Sequence, residues 1–285
     1  MKERLFLRLA DDATCGPETT VPAATLRVFT VGATLRGHVS QILSYRETLP
    51  TGQTVAERVL PDGAVRLMFD FANSPSTGPS VRVAGASASP VVLQLGGRME
   101  SLSVALHPGA AAAVLGLPAG EIEGRALPLQ ALWGAEASPL IAQMAEAKGD
   151  AARVALLTAA LQRRLTGSAS IHQQRAQHAA RLMAGARVPL SLRQAAAAVN
   201  VGERRLQQLF FEHVGLSFRA WARLSRLHAC LRLIRQQAQP AWAEVAADAG
   251  FYDQAHLANE FRALCGLSPT VFLQRGLAQS SKTGD

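Results

Sequence analysis

The chain has few cysteines, few lysines and no long apolar run. Its three cysteines, Cys15, Cys230 and Cys265, form no CxxC or Cys/His cluster. Such a set argues against a zinc site or a disulfide framework and favours a reducing compartment. No apolar run approaches the roughly 20 residues needed to span a bilayer. Charges interrupt the apolar stretch in MKERLFLRLADDATC, which is unlike a secretion signal. We therefore expect a soluble, cytoplasmic protein without a membrane partner.

The positive charge is concentrated in the second half of the chain. The formal net charge is +8 over 285 residues. Residues 1–166 contain 15 Lys and Arg against 14 Asp and Glu, whereas residues 167–285 contain 14 against 7. A GC-rich genome would explain why 26 of the 29 cations are Arg, but not this asymmetry. A basic half beside a neutral half indicates a nucleic-acid surface on one domain only.

The hydrophobic pattern changes from strand-like to helical near residue 107. Short runs rich in Val, Leu, Phe and Thr, separated by Gly, Pro and Ser clusters, predict strands over 25–31, 39–48, 64–71, 81–84, 91–95 and 102–106. Short strands at this spacing favour a sandwich or a barrel. Beyond them, the periodicity predicts helices over 108–117, 139–148 and 151–165, a linker at 167–170, and helices only after that.

A sequence pattern occurs twice in the helical half. Written as L-x3-F-x4-G-L-S, it begins at Leu206 and again 51 residues later at Leu257. In each copy, small residues lie where two helices would approach closely. The turn between those helices contains a residue that tolerates a positive φ, Asn200 in the first copy and Gly250 in the second. The repeat therefore predicts two helix-turn-helix units.

Capping signals and a long spacer complete the two predicted units. The sequence SLRQ at 191–194 is a capping box for the first unit, and Asp253 is the expected N-cap of the last helix of the second. Residues 218–235 predict one amphipathic helix of roughly 27 Å, at about 1.5 Å per residue. Recognition helices on such a spacer could enter successive major-groove segments about 34 Å apart. The second recognition helix would then read bases with Gln254, His256 and Asn259.

This arrangement resembles the DNA-binding domain of the AraC/XylS family of bacterial transcriptional regulators, over about 171–276. The resemblance rests chiefly on G-F-x-D-x-x-H-L-x-x-x-F-x-x-x-x-G-x-S-P, beginning at Gly250, followed by Phe272. It implies seven helices forming two helix-turn-helix units joined by a long helix. It also implies base contacts from Arg204, Gln207 and Gln208 in the first unit, and from Gln254, Ala255, His256 and Asn259 in the second.

The first unit departs from the family pattern at its turn, and the connecting helix carries two further candidate contact residues. The first turn has Asn200 and Gly202 where the family usually has Gly and a Ser-like cap, so the helix that follows has a weaker start. On the connecting helix, Arg223 and Arg226 are the candidates for contacts with the DNA backbone.

The upstream half is similar to an uncharacterised N-terminal domain often joined to such regulators. The similar stretches are ERVLPDG at 57–63, LHPGAAAAVLG at 106–116 and LPLQALW at 127–133. The similarity implies an effector or interaction domain and names no ligand. Four charged residues flank the turn in the first stretch and are expected to be solvated rather than to line a polar pocket, namely Glu57, Arg58, Asp62 and Arg66.

We predict a two-domain α+β chain. A β-rich, sandwich or barrel-like domain with following helices occupies 1–166 and serves as an effector or self-association domain. A linker at 167–170 joins it to the all-α DNA-binding domain at 171–276, and 277–285 is a disordered tail.

The predicted function is sequence-specific regulation of transcription by binding duplex DNA, without a catalytic residue, cofactor or metal. RNA polymerase, a small-molecule effector and a homodimer partner stay open, as does the choice between activation and repression. One alternative is an enzyme or DNA-repair domain fused to a helix-turn-helix module, which would need a zinc cluster or a nucleophile elbow that the sequence does not contain. An RNA-binding or architectural protein fits paired recognition helices less well.

Overall fold

The computed structural model describes residues 3–7, 18–19, 22–72, 79–165, 170–185, 190–234, 237 and 239–280. The strands are β1 (Arg4–Leu7), β2 (Glu18–Thr19), β3 (Leu26–Phe29), β4 (Val39–Thr48), β5 (Thr54–Val59), β6 (Arg66–Asp70), β7 (Ser80–Ala84), β8 (Val91–Gly96), β9 (Arg98–Leu106) and β10 (Ala126–Pro128). The α-helices are α1 (Ala111–Leu115), α2 (Leu129–Trp133), α3 (Ala137–Glu146), α4 (Asp150–Arg164), α5 (Ile171–Gly185), α6 (Leu192–Ala198), α7 (Glu203–Val214), α8 (Phe218–Ile234), α9 (Trp242–Asp248), α10 (Gln254–Cys265) and α11 (Pro269–Ser280).

The strands form two sheets, and helices follow them. One sheet has six strands in the order β10-β7-β6-β9-β4-β3, and the other has four in the order β2-β1-β5-β8. In β6, Leu67 and Phe69 are buried while Met68 between them is exposed, because side chains alternate between the two faces of a strand. From residue 170 onward the described residues contain α5 to α11 and no strand. The predicted fold class is confirmed, and so are the seven C-terminal helices.

The predictions for the first half missed the centre of the smaller sheet. Strand β5 pairs with β1 in parallel and with β8 in antiparallel fashion, so it lies inside the sheet. Its sequence, TVAERV, carries two adjacent charges that conceal a strand pattern. The expectation that these charges are solvated is wrong. Glu57 and Asp62 are buried, Arg58 forms an ion pair with Glu3 at 2.7 Å, and Arg66 forms one with Asp62.

A polar cluster surrounds Glu57, in the second half of β5. The guanidinium of Arg4 donates two hydrogen bonds to the carboxylate of Glu47, at 2.6 and 2.9 Å, and the Tyr45 hydroxyl donates another at 2.8 Å. These donors hold the pKa of Glu47 below its usual value. Glu57 belongs to the same cluster, but its burial raises its pKa, although the nearby Arg4 acts in the opposite direction.

The N-terminal and C-terminal halves pack against each other on either side of the predicted linker. Residues 166–169 lie outside them, so the predicted linker is represented by Ser170 alone. On either side of that gap, one hydrophobic core runs from the sheets through α4 into α7, α8 and α10. Trp221 of α8 packs on Gly63, where a Cβ would lie 2.7 Å from its ring. The two halves are therefore joined by a packed interface.

Two further expectations can be compared with the structure. Helix α11 extends to Ser280, whereas residues 281–285 of the predicted tail at 277–285 lie outside the described part, so the tail stays a prediction. Among the described residues, no helix has both the length and the apolar composition that crossing a membrane requires.

Candidate nucleic-acid interface

The first helix-turn-helix unit consists of α6, a tight turn and α7. At the start of α6, the Ser191 hydroxyl accepts a hydrogen bond from the Gln194 N–H at 3.3 Å, and the Gln194 side chain accepts one from the Ser191 N–H at 2.9 Å. This is the predicted capping box. Asn200 has a φ of 53°, and it is the one residue other than glycine with a positive φ in the described part of the chain. Both predictions for this unit are confirmed.

The second unit, α9 to α10, repeats this geometry with a better start for its last helix. Gly250 takes the positive φ in the turn, at 79°. The Asp253 carboxylate accepts a hydrogen bond from the His256 N–H at 2.7 Å, as expected of an N-cap. Helix α7 instead begins after Gly202, whose position provides no side-chain cap. The structure thus bears out the predicted difference between the two helix starts.

Helix α8 connects the units and packs against both. It has 17 residues, which corresponds to about 26 Å at 1.5 Å per residue. The Phe210 ring of α7 meets Phe218 and Trp221 of α8 edge-on, at centroid distances of 5.4 and 6.1 Å. These aromatic contacts are buried, so they fix the orientation of α7 relative to α8. The opposite face of each recognition helix is left for a ligand.

The predicted base-reading residues lie mainly on those open faces. The exposed members are Arg204, Gln207 and Gln208 on α7, and Gln254, Ala255 and Asn259 on α10. All of them except Ala255 present amide or guanidinium groups, which can form paired hydrogen bonds with the major-groove edges of adenine and guanine. The structure brings the two sets to the exposed faces of equivalent helices in the two units.

His256 has a different environment from the other predicted readers. It is half-buried, its Nδ1 accepts a hydrogen bond from the Tyr252 N–H at 3.3 Å, and its ring meets Phe251 edge-on at 5.5 Å. Because Nδ1 is occupied as an acceptor, Nε2 is the ring nitrogen left to form a hydrogen bond with another molecule. His256 therefore stabilises the turn before α10, and Nε2–H is the donor it can offer to another molecule.

The two arginines predicted to contact the DNA backbone are held by the second unit. Arg223 Nε donates to Glu260 of α10 at 2.6 Å. Arg226 is half-buried with its guanidinium 5.8 Å from the centre of the Phe251 ring, and this burial lowers its pKa. Both side chains thus connect α8 with the second recognition helix or its turn.

Tyr252 is a candidate contact residue that the sequence analysis missed. It lies immediately before the N-cap of α10 and is 92% exposed. A tyrosine combines an apolar ring with a hydroxyl, so it can contact sugars, bases or phosphate oxygens. The sequence signal for this residue is an aromatic side chain between the turn residue Gly250 and the N-cap Asp253, at a position where the core does not need an aromatic ring.

Each half of the chain matches a different protein-family model. Residues 195–275 match the family model described as a helix-turn-helix domain. Residues 29–128 match that of a domain of unknown function, DUF6597. These matches confirm the predicted resemblance of the C-terminal region and that of the upstream half to an uncharacterised domain. No curated protein matches the chain significantly.

Three solved structures illustrate the similarity of this chain to proteins of known structure. The C-terminal domain of AraT, a response regulator from Geobacillus stearothermophilus, is 21% identical, with 36% of this chain and 84% of that chain covered and a TM-score of 0.31. A transcriptional regulator from Chromobacterium violaceum, described as an AraC-type DNA-binding domain-containing protein, is 22% identical, with 39% of this chain and 96% of that chain covered and a TM-score of 0.34. ToxT from Vibrio cholerae O395 is 8% identical, with coverages of 82% and 99% and a TM-score of 0.43.

Proposed function

We propose that this chain, which carries a DNA-binding domain of the AraC type beside an N-terminal domain of unknown function, is a sequence-specific transcriptional regulator. The observation that carries the proposal is the pair of helix-turn-helix units with exposed polar faces on α7 and α10, connected by α8. This half also contains nearly all of the excess positive charge. A basic surface and two recognition helices fit a duplex better than a single-stranded or folded RNA.

Base readout is assigned to the two exposed faces. In the first unit, Arg204 would donate to guanine O6 and N7, while Gln207 and Gln208 would pair with adenine. In the second, Gln254 and Asn259 would pair with adenine, the Ala255 methyl group would contact thymine, and His256 would donate from Nε2. Arg223 and Arg226 are assigned to the DNA backbone, where such contacts set affinity and register without selecting a sequence.

The N-terminal half is assigned a controlling role. We place the domains at residues 1–166 and 171–276, with the former sensing a small molecule or mediating self-association. Its two sheets and its packed contact with α8 support this assignment. A ligand changes DNA affinity only if it binds two arrangements of the chain unequally. RNA polymerase and a second copy of the chain are the further partners of a regulator acting in the cytoplasm.

Selection from random duplexes tests the proposal directly. The full chain at physiological salt should enrich one sequence with two contacted blocks, about one helical turn apart. Gln254→Ala should then lose about 1–3 kcal/mol of discrimination at particular base pairs of the second block. Gln94→Ala is the matched control, since it removes an exposed amide from β8 in the other half. If the full chain enriches no sequence, the proposed function is wrong.

A further inference from the structure

The N-terminal half reaches the C-terminal end of the first recognition helix. Residues Ala119–Ile122 form a short 3-10 helix that lies against the last turn of α7. A Cβ at Gly120 would lie 2.8 Å from the Phe211 backbone oxygen. In the opposite direction, a Cβ at Gly215, the left-handed cap of α7, would lie 3.0 Å from the Ala119 oxygen. Backbone therefore approaches backbone here, and the Phe211 ring also lies against Gly120, with Cε1 2.9 Å from the same Cβ position.

The same half also reaches the C-terminal end of the second recognition helix. Arg58 of β5 donates from Nη1 to the Cys265 carbonyl at 3.4 Å, and its guanidinium lies beside Gly266, the left-handed cap of α10. The other end of the same guanidinium is held by Glu3 at 2.7 Å. A cation at this position also complements the negative end of the helix dipole. Arg58 thus fixes the end of α10 to the smaller sheet.

Two contacts hold the connecting helix between these points. Trp221 packs on Gly63, and His228 Nε2 lies 3.1 Å from the Pro61 carbonyl oxygen. Pro61 and Gly63 follow directly on β5, the strand that carries Arg58. Helices α7, α8 and α10 are therefore each fixed to the N-terminal half at a separate point. Helix α8 and its Arg223–Glu260 ion pair already connect the two units, and the three points attach this frame to the N-terminal half.

We propose that the N-terminal half sets the distance and angle between the two recognition helices, and so determines which spacing of the two half-sites is bound. Arg58 and Gly120 are its positioning residues for α10 and α7. The inference rests on the proposed function. Adding one base pair between half-sites moves the second by about 3.4 Å and rotates it by about 34°, given 10–10.5 base pairs per turn. A rigid pair of helices cannot follow this change, but a released pair can.

The test measures spacing preference with the full chain. The selected duplex is resynthesised with one base pair added or removed between its two blocks, and dissociation constants are measured at one salt concentration. The wild type should lose about tenfold or more in affinity at either altered spacing, comparable to the cost of a mismatched base pair. Arg58→Ala should weaken binding at the selected spacing and bring all three spacings to within about threefold, because α10 can now adjust.

Matched variants separate positioning from general destabilisation. Arg36→Ala removes an exposed arginine from the same half, and Gly37→Ala adds a Cβ that meets no atom within 4 Å. Both should keep the wild-type spacing profile. Gly120→Ala should change the profile, since its Cβ displaces the end of α7. If Arg58→Ala does not fold, Glu3→Gln releases the other end of the guanidinium and should broaden the profile in the same direction.

The outcomes distinguish this inference from the proposed function. If the wild type selects no duplex, both fail. If it selects a duplex but Arg58→Ala and Gly120→Ala lower affinity by the same factor at every spacing, the two residues are structural only. In that case the positioning role is wrong while the regulator assignment stands.

Discussion

Replacing Gly63 by alanine tests the interface that joins the two halves. Gly63 has a φ of +70°, a region that residues with a Cβ rarely adopt. Its new methyl group would lie 2.7 Å from Trp221 Cζ3 and 3.2 Å from the Cδ1 atoms of both Leu216 and Leu224. The substitution therefore combines a backbone penalty with a collision against α8 and against Leu216, two residues before that helix.

The two contributions can be estimated separately. A left-handed conformation costs an L-residue about 1–2 kcal/mol. Forcing an extra methyl group into a packed interior costs about 1–3 kcal/mol more. Gly63→Ala should thus lower the free energy of unfolding by about 2–5 kcal/mol in total. Gly52→Ala is the matched control, since Gly52 has a φ of +80° and open space around its Cβ direction. It should show only the first contribution.

The assay is equilibrium denaturation of the full chain by urea, followed by tryptophan fluorescence and by far-ultraviolet circular dichroism. Because one core runs through both halves, the two signals should follow a single transition. The Gly63 variant should lose about 1–3 kcal/mol more than the Gly52 variant. Equal losses in the two variants would refute the reasoning, because they would mean that Trp221 does not pack on this glycine in solution.

Four further predictions follow from single residues. Burial raises the pKa of Glu57, so the ionisation of this carboxyl group opposes folding. The Glu57→Gln variant should therefore become more stable relative to wild type as the pH rises from acid to neutral. Thermal midpoints measured at each pH check this, and Glu123→Gln, at an exposed position, is the control. Asn200→Ala should lower the free energy of unfolding by about 1–2 kcal/mol, whereas Asn200→Gly should be near neutral, because only alanine is strained at positive φ. Asp253→Ala should cost about 1 kcal/mol in urea denaturation through loss of the N-cap. Tyr252→Ala should change stability by less than about 0.5 kcal/mol, yet weaken binding to the selected duplex in a gel-shift titration; unchanged binding would remove Tyr252 from the interface.

The helix-turn-helix units could be predicted because their signals are local. A cap, a turn residue and a periodic helix each depend on neighbours within about four positions. Ser191, Asn200, Gly250 and Asp253 each perform the local role that their residue types indicate. His256 shows the limit of this reasoning, because its contact with Phe251 depends on how the turn folds back.

The N-terminal half was harder to predict because its central pairings are distant in sequence. Arg4 of β1 is aligned with Glu57 of β5, and the charges on β5 suggested a solvated turn. The interface between the halves gave still less signal. Gly63 belongs to the turn in ERVLPDG and Trp221 to the predicted helix over 218–235, but no sequence pattern links the two residues. Arg58 contacts Cys265 across 207 positions, and such a pair can be found only in the folded chain.

The packing of Trp221 on Gly63 has a consequence for inheritance. Because the Trp221 ring packs directly on the backbone of Gly63, a larger residue at position 63 fits only if the residue at position 221 also changes. Among descendants of one ancestor, these two positions should therefore vary together, as should the backbone contact between Gly120 and the end of α7. Recombination that replaced one half by the corresponding half of a distant homologue would bring together surfaces that are not complementary. We therefore expect the two halves to be inherited together rather than exchanged as independent domains.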